Sequence, residues 1–190
     1  MHTCRKWRKS FKRPCFILKK GATLKNVILG AKSIEHVHCV GDRCTVENVY
    51  WVDVCEDALT LKESTNTGSK FYVKGGAAKD GSDKIIQHNS GGTVYVSNFY
   101  VENSGKLYCA CGNCNSGYQG KRVVEITKVQ ARNVKVLAEI NTNYGDSAKF
   151  TSVTYSGGHA CQRFNGNNNG KEPTKIDYKC DGATNSCTCK

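Results

Sequence analysis

Helical periodicity is nearly absent from this 190-residue chain. No stretch sustains apolar residues at i, i+3, i+4 and i+7, which argues against a helical fold. No run of about 18 apolar residues occurs, which excludes a membrane-spanning helix and leaves no membrane role in view. Proline is scarce, with 2 residues, while glycine is plentiful at 19. Acid is also in deficit: 16 Asp and Glu stand against 28 Lys and Arg, a net charge of +12. Such a surface attracts polyanions, either nucleic acid or acidic polysaccharide. The RNP, zinc-finger and basic-zipper patterns of nucleic-acid binders are missing, so no nucleic-acid partner is expected. The basic cluster in CRKWRKSFKRPCFILKK reads instead as a solvated arm over residues 1–11. No apolar leader segment follows the charged start, which fits either a mature form or an incomplete N-terminus.

What the chain does contain is cysteine, with 12 residues. An even, high count favours an oxidising compartment and several disulfides, and hence a secreted protein. CACGNC carries one CxxC, but a zinc ribbon needs a second at suitable separation. The remaining texture is that of strands and turns. Short β-branched and aromatic runs such as VYWVDV, KFYVKG and TVYVSNFYVE are punctuated by Gly, Asn, Asp and Ser.

A faint internal repeat orders those runs. ATLKNVILG resembles CTVENVYWV, and GTVYVSNFYVE and VQARNVKVL echo both. Self-similarity at about 20–25 residues with strand-type units predicts a parallel β-helix, in which coils stack. Asn26, Asn48, Asn98 and Asn133 are then expected at turns, because Asn tolerates the left-handed conformation and its amide can bond a neighbouring Asn. A β-sandwich with Asn-rich turns is the alternative. One domain over residues 1–190 is expected, all-β, with a Cys-rich, polar segment at 158–190. That segment reads as a disulfide-stapled cap or as a loose tail held by its bridges.

An ordered series of strings resembles the family 3 polysaccharide lyases, which are pectate lyases. It runs through KRPCFILKKGATLKNVILGA, HCVGDRCTVENVYWVDVCEDALTLK, GSDKIIQHNSGGTVYVSNF, SGKLYCACGNC, INTNYGD and CQRFNGNNNGKEPTKI, covering roughly residues 12–176. The resemblance implies a right-handed parallel β-helix, secreted and acting as a monomer. It implies a Ca²⁺-dependent pectate lyase that cleaves polygalacturonate of plant cell walls by β-elimination. It also implies a further N-terminal segment, so that a first coil is missing here.

The chemistry needs a cation to neutralise the galacturonate carboxylate, a base for the C5 proton, and positive groups to hold the developing charge. The resemblance implies Ca²⁺ ligands at Glu56, Asp57 and, one coil earlier, Glu35, where the family commonly has Asp. Hard carboxylate oxygens suit Ca²⁺. Adjacent strand residues face opposite sides, so Glu56 and Asp57 converge only at a bend. Coil stacking is expected to gather all three acids. Lys84 is the candidate base, activated by burial or nearby cations, with Lys106 beside it. Arg122 matches a basic position of the family, and His88 shares a strand face with Lys84, so both are expected to line the substrate groove. Asn141, Asn143, Tyr144 and Asp146 read as a turn. Tyr50 and Trp51 are expected to pack between coils.

One departure stands out. Where the family reads Gly-Lys-Leu-Tyr-Arg-Ser-Cys, this chain has Cys109 in place of the arginine. A thiol supplies neither fixed charge nor a bidentate clamp. The resemblance therefore leaves two readings: an active lyase, or a catalytically impaired homologue that still binds pectate.

Overall fold

The computed structural model describes residues 14–31, 35–62, 65–115, 117–180 and 186–189. The basic arm at 1–11 lies outside the described residues. Strands fall on three faces, and each strand pairs with its counterpart one coil later. The first face carries β1 (Phe16–Lys19), β3 (Glu35–Val40), β5 (Asp57–Lys62), β7 (Lys84–His88), the second halves of β9 (Tyr100–Ala110) and β11 (Gln130–Asn141), and β14 (His159–Asn165). The second face holds the starts of β2 (Thr23–Leu29), β4 (Thr45–Trp51) and β6 (Lys70–Lys79). It continues through β8 (Gly92–Ser97), β10 (Arg122–Thr127), β12 (Ser147–Thr151) and β16 (Cys187–Cys189). The third face takes the ends of β2, β4 and β6, the starts of β9 and β11, and β13 (Thr154–Tyr155).

All of these pairings are parallel, which makes a β-helix of about six turns and removes the sandwich alternative. Because strands stack in register, each position meets a counterpart in the next turn, and side chains form rows along the axis. Inward rows are apolar. One runs Val37–Leu59–Ile86–Tyr108–Ala138–Cys161, another Val46–Val73–Val96–Ile126–Phe150. All of these side chains are buried, so each turn contributes its share of apolar burial to one continuous core. Trp51 joins that core edge-on to Phe99, with ring centroids 6.2 Å apart. Tyr50, its neighbour, points outward by strand alternation and is 46% exposed, against expectation.

The asparagines mark the corners. Asn26, Asn48 and Asn98 turn the chain from the second face to the third with φ of 56°, 50° and 52°. Asn48 Nδ2 donates to Asn26 Oδ1 at 3.4 Å. Asn tolerates this left-handed backbone because its short amide bonds locally. Asn133 turns a different corner, from the third face to the first. There its Nδ2 donates to Asn103 Oδ1 at 3.0 Å. All four asparagines thus stand at corners, as expected, and they belong to two different rows.

The C-terminal segment is disulfide-stapled, as expected, and also supplies strands of its own. Its first strand, β14, completes the last turn, and β15 (Thr174–Lys179) folds back antiparallel on β14. A Cys161–Cys187 disulfide joins β14 to β16, and Cys180–Cys189 joins the end of β15 to β16. Cys111–Cys114 closes a small loop, and Cys55 is also disulfide-bonded. Cys15, Cys39, Cys44 and Cys109 carry free thiols. Among the described residues no helix is long and apolar enough to cross a membrane.

Candidate active-site groove

Two outward rows on the first face build the site. One runs Glu35–Asp57–Lys84–Lys106 and the other His38–Thr60–Gln87–Cys109–Glu139, each member in register with the next. Within each strand the two outward residues are three apart, not two. The strand begins at a corner, and its first outward side chain precedes regular alternation. Asp57, Lys84, Lys106, Cys109 and Glu139 line a cavity of about 450 Å³.

Charges alternate along this cavity. Lys84 Nζ lies 3.3 Å from Asp57 Oδ1 and 2.6 Å from Asp83 Oδ2. Lys106 Nζ lies 2.9 Å from Asp83 Oδ1 and 3.5 Å from Glu139 Oε2. Asp83 therefore bridges the two lysines, one carboxylate oxygen to each. Burial alone would depress Lys84, but Asp57 and Asp83 outweigh it and hold its pKa above the ordinary lysine value. Lys106 is raised likewise, with Glu139 and Asp83 overcoming burial. In this arrangement both lysines are ammonium ions near neutral pH.

The acids behave differently from one another. Burial pushes Asp57 up to about 6, even against the pull of Lys84. Its Oδ1 has an ion pair but no hydrogen bond. Glu35, one turn earlier and in register with it, accepts from the His38 ring, which keeps its pKa below the usual carboxylate range. Lys62 Nζ is 4.0 Å from the same carboxylate. Glu56 lies in the bend before β5. Stacking therefore joins Glu35 to Asp57, not to Glu56. Among the described residues no three His, Cys, Asp or Glu groups are gathered into a metal cage. The three expected ligands thus stand as a register-matched pair, Glu35 and Asp57, with Glu56 at the adjacent bend. The donor chemistry nonetheless suits a hard cation: two register-matched carboxylates, one buried and under-bonded, with a third at the adjacent bend.

Two expected groove residues are elsewhere. His88 belongs to the inward row and is 0% exposed, with Nδ1 2.8 Å from the Tyr108 hydroxyl and its ring edge-on to Phe71. Burial and the nearby Arg122 push its pKa down to about 3, so it is a neutral core histidine. Arg122 is also 0% exposed. Its Nε donates to the Ser90 carbonyl, its Nη1 to Gln119 Oε1 and the Gly120 and Cys111 carbonyls, and its Nη2 to the Asn89 and Tyr118 carbonyls. That occupies every guanidinium donor, so Arg122 clamps the 111–121 loop and leaves nothing for a ligand. The INTNYGD string serves the same seam. A 3-10 turn covers Thr142–Tyr144, and Asp146 accepts from the Arg122 and Asn141 backbone N–H groups at 2.8 and 2.9 Å.

Cys109 does line the groove. Its Sγ donates to Glu139 Oε2 at 3.5 Å, and burial raises the thiol well above its ordinary value. Asp83 and Glu139 are the members that sequence reasoning missed. Asp83 carries a visible signal, since it adjoins Lys84 in SDK. Glu139 carries none: it meets Cys109 from 30 positions away, across the inserted loop.

A family model described as pectate lyase matches residues 2–171. A curated pectate lyase E of Emericella nidulans is 52% identical over 173 residues, covering 90% of this chain and 65% of that protein. The chain thus spans just under two thirds of that relative's length. Among solved structures, pectate lyase PelI from Erwinia chrysanthemi matches with a TM-score of 0.80 at 30% identity, covering 96% of this chain and 61% of that one. The same enzyme in complex with tetragalacturonic acid shares the fold, with a TM-score of 0.67 at 24% identity, over 90% of this chain and 69% of that one.

Proposed function

The chain belongs to the pectate lyase family, and from that premise we propose that it cleaves α-1,4-polygalacturonate by Ca²⁺-dependent β-elimination. The observation that carries the reading is the outward row Glu35–Asp57–Lys84–Lys106, in which two carboxylates give way to two ammonium groups along one groove. Glu35, Asp57 and Glu56 would hold Ca²⁺, which supplies positive charge opposite a galacturonate carboxylate and so acidifies its C5 proton. Lys84 and Lys106 bind and orient the substrate carboxylate as ammonium ions. One of them takes the C5 proton once it is deprotonated. The C4–O bond then breaks as the C4–C5 double bond forms, and the departing oxygen picks up a proton. Because both lysines sit above the ordinary lysine pKa in this arrangement, the rate climbs into the alkaline range. The disulfides support a secreted enzyme.

The test is growth of ultraviolet absorbance from unsaturated product when the protein meets polygalacturonate and Ca²⁺ at alkaline pH. Growth abolished by a chelator is the expected result. Absorbance that rises equally with chelator present sinks the Ca²⁺ reading.

A second reading, a weakened lyase that binds pectate, has one observation in its favour. The position of the family's arginine is Cys109, facing Glu139. Restoring charge with Cys109→Arg should raise turnover, but the guanidinium would meet Glu139 first. The double variant Cys109→Arg/Glu139→Ala is expected to gain more, about tenfold or above, since a charge-stabilising donor is worth roughly 10²–10³. No gain in either variant means that Cys109 is not what limits turnover.

A further inference from the structure

Beyond Lys106 the groove floor changes character. The outward row continues through Val136 to His159, two turns on. At about 4.8 Å per turn, His159 lies roughly 10 Å past Lys106. There β15 folds back on β14, setting Tyr178 opposite Gln162 and Lys175 opposite Phe164. The Tyr178 ring stacks on the His159 imidazole, with centroids 3.7 Å apart and planes 18° apart. Lys175 Nζ lies 3.8 Å from the Tyr178 centroid. Two groups that close to one ring must take opposite faces, so imidazole, phenol and ammonium form a three-layer stack. Phe164 and Pro173, on the near side of the hairpin, line the same cavity as Lys84 and Lys106. The stack therefore extends the groove.

This stack is ordered yet exposed. Tyr178 is 39% exposed, and His159 and Lys175 are exposed as well. Its hairpin is held by the bidentate Arg163–Asp177 pair, at 2.7 Å for both bonds, and by the Cys180–Cys189 disulfide. The core gains little from three exposed side chains. A preformed aromatic edge beside a cation matches the two needs of a hexuronate unit: apolar C–H groups to pack on a ring, and a carboxylate to pair with an ammonium.

We propose that the His159–Tyr178–Lys175 stack is a distal subsite that binds a uronate unit of the polymer on the Lys106 side of the reacting bond. It deepens the pectate reading and rests on it. Its consequence is a dependence on substrate length, because only chains long enough to span the two turns reach the stack.

Calorimetric titration with trigalacturonate and hexagalacturonate, with Ca²⁺ present, tests it. A Lys84→Ala background prevents cleavage during the measurement. Adding Lys175→Gln or Tyr178→Ser should weaken hexagalacturonate binding about tenfold and change trigalacturonate binding less than about twofold. Lys175→Gln alters one exposed side chain, so its result stands even where Tyr178→Ser lowers the melting temperature. Unchanged hexagalacturonate affinity in Lys175→Gln overturns the subsite while leaving the lyase reading in place. Equal losses for both lengths also overturn it, because the stack would then not be distal. Failure of the Lys84→Ala protein to bind either oligomer, together with failure of the unsubstituted protein to bind or cleave them, sinks the pectate reading itself.

Discussion

Two rows of this solenoid obey the same geometry and opposite logic. At the corner between the second and third faces the stacked positions read Asn26, Asn48, Gly75, Asn98, Lys128 and Ser152. The residue changes, but each has a left-handed φ between 50° and 66°, so the backbone demand is the same each time. On the groove face, the stacked positions read Glu35, Asp57, Lys84, Lys106, Val136 and His159, with the chemistry changing as the row advances. A constant backbone conformation with interchangeable side chains marks what the fold needs at the corner. A row whose side chains change charge while facing one groove marks where a ligand is met. The scaffold costs the site nothing, because an outward position can change without touching the inward rows.

That division can be broken by substitution, and the largest effect belongs to the groove. Lys84→Ala or Lys106→Ala should lower product formation by about 10³-fold. The melting temperature should stay within a few degrees of the parent. A loss of folding that matched the loss of activity would show the groove row to be structural after all.

Next comes the backbone beside the corner. Gly76 has φ +95°, and a Cβ there would lie 2.1 Å from the Val49 carbonyl oxygen of the preceding turn. Neither backbone can move far, so Gly76→Ala should cost roughly 3 kcal/mol or more in urea unfolding. Activity per folded molecule should be unchanged.

The seam at Asp146 gives a pH signature. Burial pushes this carboxyl up to about 6, although Asn141, Arg122 and their N–H groups pull the other way. The folded state then holds its proton more tightly than the unfolded chain. Its contribution is complete below about pH 4 and drains as pH rises through 6, on the order of 2 kcal/mol. Asp146→Asn should flatten that share of the slope in melts taken across pH 4–7. Asp57 contributes with the same sign, and Ca²⁺ should remove its share by favouring the ionised form.

The smallest change is at the corner itself. Asn48→Ala keeps a left-handed residue without its amide and should cost about 1 kcal/mol. A neutral result would mean that the asparagine row is decoration, and the comparison would lose one side.

How much of this was legible in the sequence follows from the same rows. The corner repeat gave the coil length, and strand-type runs between corners gave a parallel solenoid. Glu35 and Asp57 could be matched because their turn has no insertion. Only Asp57 pairs with Glu35, because the bend that holds Glu56 ends there. His88 was misplaced by assuming strict alternation from Lys84, and the corner breaks that alternation. Arg122 looked like a groove cation because sequence shows charge but not which carbonyls surround it. Glu139 stayed hidden behind the loop at 111–121, which shifts the register beyond any constant repeat.

Arg122 has a consequence in time as well as in space. The carbonyl and amide oxygens around its guanidinium come from Asn89, Ser90, Cys111 and residues 118–120, all earlier in the chain. A nascent polypeptide that has emerged as far as residue 122 already holds every partner the guanidinium uses. Only the backbone bond to Asp146 waits for later residues. The loop can therefore be wrapped while the ribosome is still supplying the last two turns, and those turns are laid onto an edge that is already closed.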